Sequence, residues 1–258
     1  MSWDLLDWSI VGPAMAAGLL VLSTHVPLGQ VVLQRGIIFI DLAIAQVAAL
    51  GVIAAGFLGW EEHVFAVQAA AVGSALLAAG LLHWTEKRWR DIQEALIGSL
   101  FVLAATGSVL LLSENPHGGE YLKDLLVGQI LWTTWSMLAP IAVLYAVLLA
   151  TWFLRNRRGG GVLFYGVFAL AITAAVQIVG VYLVFASLIL PALATRRLSG
   201  LARLLAGYLT GSVAFLAGIA ISAIFDLPTG AVTVWTLAAT ALLGGWAIGR
   251  WRMASAAA

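Results

Sequence analysis

The stretch from Arg155 to Arg197 reads RNRRGGGVLFYGVFALAITAAVQIVGVYLVFASLILPALATRR. Between its two basic ends lie 33 residues, 162–194, without a single charge. A helix rises about 1.5 Å per residue and needs about 20 apolar residues to cross a hydrocarbon core. The stretch is therefore too long for one straight crossing and short for two. Lysine and arginine stay on the cytoplasmic side of a membrane. A single crossing would put the arginines of 155–158 and those of 196–203 on opposite sides. The segment is therefore expected to cross twice, as 162–178 and 180–194, turning at Val179-Gly180, with Pro191 near the cytoplasmic end of a short returning helix. Short or broken helices at depth are tolerated where protein or a cavity covers their freed backbone groups, and they often line transport pathways.

The same reading extends outward to the whole chain. Of its 258 residues 62% are hydrophobic and 10% charged, an all-α, polytopic membrane bundle. Nine apolar segments are expected, at roughly 8–26, 36–58, 63–84, 95–112, 130–154, 162–178, 180–194, 202–224 and 229–249. Threaded alternately, they gather Arg35, Lys87, Arg88, Arg90, Arg155, Arg157, Arg158, Arg196, Arg197, Arg203, Arg250 and Arg252 on one face and leave only Lys123 on the other. Asp4, Asp7, Glu61, Glu62, Glu114, Glu120, Asp124 and Asp226 fall on that other face. The N-terminus is then outside and the C-terminus inside. The chain reads as a single transmembrane domain over 1–258 with a disordered Ala-rich tail at 254–258. The N-terminus lacks the basic region of a cleaved signal peptide, so the first span is expected to be retained. The absence of cysteine excludes disulfides and thiolate ligands. Nothing in the charge pattern supports nucleic-acid binding.

Gly207 and Gly211 form a GxxxG pair, and Gly73 and Gly80 share a helix face; both pairs are expected at close helix contacts. Most of the eleven tryptophans lie near segment ends, as an interfacial aromatic belt does. Asp41 is the only acid placed inside a span. A carboxylate costs about 2.5–3.5 kcal/mol at mid-bilayer and less nearer the interface, so such a residue points to function. The structural alternative is an interfacial acid that caps its helix or pairs with Arg35. Gln46 follows five positions on, about 140° further round the helix, and could share a cavity with Asp41. The imidazoles His25, His63, His83 and His117 sit near segment ends and form no HExxH or other close pair, which excludes a zinc site within one helix. His117 and Glu120, three apart in the polar external loop 113–129, could capture a metal ion together, or simply be solvated. No GxxxxGK[ST] loop is present, so the chain cannot hydrolyse ATP by that route.

Four stretches together resemble the permease subunit of bacterial zinc/manganese-type metal ABC importers. They are Pro27-Leu28-Gly29-Gln30-Val31-Val32-Leu33-Gln34-Arg35 followed by Phe39-Ile40-Asp41-Leu42-Ala43; Glu94-Ala95-Leu96-Ile97-Gly98; Val179-Gly180-Val181-Tyr182-Leu183-Val184 through Leu190-Pro191-Ala192; and Asp226-Leu227-Pro228-Thr229-Gly230-Ala231. The resemblance spans almost the whole chain. It implies a type II ABC importer-like fold in the bacterial inner membrane, working as a homodimer, and no enzymatic activity of its own. It also implies separate cytoplasmic ATPase subunits and an extracytoplasmic metal-binding protein as partners. A divalent metal, zinc or manganese, would then be substrate rather than cofactor, with Asp41 and Gln46 on its pathway. Where the family carries a histidine four residues after the aspartate, this chain has Ala45. Where the family carries a docking segment of some twenty residues, this chain has only 155–161. Docking is therefore expected to spread over Lys87, Arg88, Arg155, Arg157, Arg158, Arg196 and Arg197. A self-contained channel or secondary transporter on the same scaffold is the alternative.

The topology has a direct test in a chain that contains no cysteine. Single cysteines at positions 2 and 256 should be labelled from opposite sides of intact cells; labelling of both from one side would overturn it.

Overall fold

The computed structural model describes residues 8–60, 62–155 and 161–257, with side chains described through residue 250. Its helices are α1 (Trp8–Arg35), α2 (Ile40–Phe57), α3 (Val64–Arg88), α4 (Gln93–Leu112), α5 (Gly118–Val127), α6 (Trp135–Arg155), α7 (Val162–Ala194), α8 (Gly200–Phe225) and α9 (Thr229–Ala257). No strand occurs among the described residues. All except α5 are long and apolar enough to cross a membrane. The chain divides into two compact units. One comprises Met1–Gln34, Gln129–Tyr145 and Tyr182–Ala258, and the other Arg35–Gly128 and Ala146–Val181.

In the first unit α1 and α8 lie antiparallel along a seam of small residues. Gly18 meets the Phe215 ring, Gly211 meets Leu22 and Gly207 meets Val26, so the expected GxxxG contact is present. At the Arg35 end of the seam the Gln30 amide donates to the Arg203 carbonyl at 3.1 Å. α1 is longer than the expected 8–26. Its 28 residues span about 42 Å and carry on through Pro27. A proline inside a helix leaves the carbonyl four residues earlier without its amide, and here that carbonyl, of Ser23, accepts the Tyr208 hydroxyl at 2.9 Å. The substitute donor is why Pro27 does not end the helix. Gly29 approaches so closely that a Cβ there would overlap the Leu188 carbonyl of α7. At the far end of α8, Asp226 takes a left-handed φ of 53°, and Ser222 and Thr229 pair their hydroxyls at 2.5 Å across the turn into α9. α9 continues as helix through 254–257, where the composition suggested a disordered tail.

In the second unit α2 packs against both α3 and α4. Gly51 of α2 lies against the Ala70 carbonyl and Ser74 of α3, and buried Gln93 donates across to the Leu82 carbonyl at 2.9 Å. A Cβ on Gly73 or Gly80 would meet nothing within 4 Å, so the contact expected of them is not made among the described residues. The polar loop expected at 113–129 contains a helix, α5.

α7 bears out the split at Gly180. Helical geometry fails there, with φ 77° and ψ 165°, leaving one helical arm at 162–179 and another at 181–194. The first arm runs antiparallel to α3: Tyr165 lies near His83, with ring centroids 5.1 Å apart, and Gln177 meets Gln68 through two reciprocal amide hydrogen bonds of 2.8 and 3.1 Å. At the break, Gly180 sits against the backbone of Gly128, itself at φ 72°. The second arm, in the first unit, passes Gly29 at Leu188 and reaches Gly245 of α9 at Ala194, whose carbonyl a Cβ on Gly245 would touch at 3.5 Å. A residue with a Cβ is strained at such φ values and has no room here.

Gly180→Ala should therefore destabilise the purified protein by at least about 2 kcal/mol, whereas Gly73→Ala should be neutral or slightly stabilising, as alanine is in an open helical position. Thermal unfolding in detergent measures both.

Candidate functional site

The chain between α1 and α2 is a four-residue turn, 36–39. Gly36, at φ 72°, ends α1 in the left-handed conformation typical of the residue after a helix. Ile37 turns inward, 4% exposed. The Ile38 amide donates to Glu94 Oε1 at 2.6 Å, and α2 begins at Ile40 with no side-chain cap. Asp41 is thus in the first helical turn, where the free amides and the helix dipole favour an anion.

Asp41 has no exposed surface. Its two carboxylate oxygens are buried without a hydrogen-bond partner among the described residues; the amides that face them, its own and that of Leu42, do not reach bonding geometry. The structural alternative of a pair with Arg35 is not realised. Arg35 instead lies 3.6 Å from Glu86 Oε1 at the end of α3, and its guanidinium stacks over the Phe164 ring at 4.5 Å. Gln46 is buried on α2 and makes no bond to Asp41.

The sequence reading missed Glu94. Placed just outside a span by its position before Ala95, it stands in the first turn of α4, and its Oε2 is buried without a partner. Its signal was its place in a quoted motif. His25 was also misplaced: it is fully buried within α1, not at the end of a span, with Nδ1 3.2 Å from the Thr24 hydroxyl and Nε2 unpartnered.

The other expected residues lie elsewhere. His117 precedes α5, and its Nδ1 is 3.9 Å from Glu120 Oε2, the side chains 85% and 77% exposed. Two solvated groups on one turn make a weak ligand pair, and no cluster of three or more His, Cys, Asp or Glu suited to an ion occurs among the described residues. Lys87 and Arg88 form the last turn of α3. Arg155 ends α6. Arg196 and Arg197, both exposed, follow α7, and Arg197 folds against Gly249 of α9. Arg157 and Arg158 lie outside the described residues.

Comparison with known proteins agrees with this architecture. The chain is 28% identical over 254 residues to the manganese transport system membrane protein MntC of Halalkalibacterium halodurans, covering 90% of this chain and 85% of that one. Its fold matches PsaBC from Streptococcus pneumoniae, solved in complex with Fab, with a TM-score of 0.74, 21% identity and 95% of both chains covered. It also matches a structure described as an inward-facing conformation of a metal-chelate type ABC transporter, with a TM-score of 0.63, 17% identity and 96% and 88% of the two chains covered. Residues 7–158 and 161–248 match the ABC 3 transport family. The chain belongs to that family and is a multi-pass membrane permease subunit of the kind found in metal-ion ABC transporters.

Proposed function

We propose that this permease carries a divalent metal ion, manganese or zinc, into the cell as a homodimer, with ATP hydrolysed by separate cytoplasmic subunits and metal delivered by an extracytoplasmic binding protein. The observation that carries the reading is Asp41: a fully buried carboxylate whose oxygens have no partner. Burying such a group unpaired is costly unless it takes up a proton or a cation, and in a metal-ion permease an ionisable group at depth points to a cation that visits it. The relative that transports manganese supports the choice of ion class. Because Asp41 has no exposed surface in the protomer, an ion reaches it only when the turn 36–39 or its neighbours move, as alternating access requires. Gln46 is the next polar side chain along α2 and supplies a carbonyl oxygen to the same path. His117 and Glu120 offer at most a transient first contact outside.

No reaction is assigned to the chain itself. Energy coupling runs through the cytoplasmic basic ends: Lys87 and Arg88 after α3, Arg155 with Arg157 and Arg158 after α6, and Arg196 and Arg197 after α7. The 155–161 connection is too short for a docking helix, so contact with the ATPase is spread over these three places.

Asp41→Asn should abolish metal uptake by cells expressing the full transporter, while membrane insertion and thermal stability stay at the wild-type level; unchanged uptake would reduce Asp41 to a structural acid. Reversing the charges of each basic loop in turn should weaken co-purification with the cognate ATPase. If no reversal has an effect and no ATPase is recovered, the self-contained transporter becomes the better reading.

A further inference from the structure

Within the first unit, the last turns of α7 and α9 flank a cavity of about 540 Å³, a size within the range of ligand sites, about 300–1,000 Å³. Its two ends differ in chemistry. Leu190 and Leu193 of α7 and Ala238 and Leu242 of α9 give it an apolar wall, and Arg196, Arg197 and Arg250 close its cytoplasmic end. All three arginines are exposed. Arg250 is set in place by Trp246, its guanidinium 5.0 Å from the ring centroid. Gly245 and Gly249, one turn apart on α9, also line the cavity, and the Arg197 guanidinium lies so close to Gly249 that a Cβ there would overlap it. Asp226 is the only Asp or Glu in the sequence from 129 to 258. It stands at the far end of α8, so the arginine end is positive.

The dimensions fit a lipid. From Ala238 to Arg250 the cavity follows about 18 Å of α9, close to one leaflet, half of a hydrocarbon core of about 30 Å. Leu242 and Trp246, 75% and 62% exposed, leave it open along the side of α9.

We propose that this groove binds one anionic glycerophospholipid of the cytoplasmic leaflet, its phosphate on the arginines and an acyl chain along Leu190, Leu193 and Leu242. Guanidinium groups match phosphate oxygens in fork geometry, and basic pockets between membrane helices on the cytoplasmic side hold such headgroups. The lipid ties α9 to the second arm of α7, beyond the break at Gly180. Arg196 and Arg197 also belong to the ends assigned above to the ATPase; Arg250 and the apolar wall do not.

The delipidated full-length chain in detergent is titrated with phosphatidylglycerol, or with phosphatidylcholine of the same acyl chains, and bound lipid is counted by native mass spectrometry. Wild type should bind one phosphatidylglycerol at least about tenfold more tightly than phosphatidylcholine. Arg250→Gln removes one charge, and Gly245→Leu fills the wall from a position where a Cβ makes only ordinary contact. Each should weaken phosphatidylglycerol binding about fivefold or more at unchanged melting temperature; should one fail to fold, the other decides. Equal affinity for the two lipids, or wild-type binding by the folded variants, would overturn the proposal. Displacement of the lipid by inorganic phosphate would also overturn it, in favour of a free-anion site. Because the chain has no cysteine, Leu242→Cys in membranes reports on a second occupant: no disulfide between copies is expected, and an efficient one would assign the groove to a second copy of the chain. Loss of the cognate ATPase from Arg250→Gln with lipid binding intact would assign it to the ATPase.

Discussion

Within hydrocarbon a peptide group can bond only to another part of the protein, because no water is there to accept or donate. Most of this chain meets the condition by being helical, and the informative places are those where the helix fails. At Gly180 the chain leaves helical geometry and is covered at once by the backbone of Gly128. At Pro27 the ring removes one amide, and a tyrosine from α8 supplies a hydroxyl to the carbonyl left open. In both cases the group that covers the break comes from a segment distant in sequence, as close packing at Gly180 and as a hydrogen bond at Pro27. A local break is therefore also a tertiary contact, and the helices on either side are fixed by it.

Asp41 is the buried acid at which that economy is not kept. Several buried polar groups have a partner supplied for them: the Gln93 amide nitrogen finds the Leu82 carbonyl, and the Thr195 hydroxyl turns back to the Pro191 carbonyl at 2.8 Å. The turn after α1 instead ends in a carboxylate whose two oxygens are open among the described residues, while the arginine closest in sequence is committed to Glu86. Under the proposed function this open carboxylate receives the ion, at the start of a helix whose dipole moderates the anion between visits.

The spans were legible because charge and apolar length are both one-dimensional properties of the chain. A turn within 162–194 was expected from the arginines on either side, and the structure breaks at the expected residue. What the sequence hid depends on residues far apart. Pro27 reads as the end of a helix unless Tyr208 is known to lie beside Ser23. Asp41 and Arg35 look like partners until Glu86, at the end of another helix, takes the arginine. Glu94 looked extramembranous because its carboxylate lies at a boundary, and only its contact with Ile38 shows where it turns. Gly73 and Gly80 have the spacing of packing residues but no neighbour among the described residues, since spacing marks a smooth helix face and not what covers it.

The Gln68–Gln177 pair has a consequence of its own. Both side chains are exposed on helices that cross the membrane, and each amide satisfies the other. Removing one leaves its neighbour facing an apolar surround with nothing to bond, whereas replacing both with apolar residues of similar shape costs little. Selection acting on such a pair tolerates both amides or neither. Among diverged descendants of this chain the two positions should therefore change together, and that covariation would record a contact between α3 and the first arm of α7 that neither position reveals when read singly.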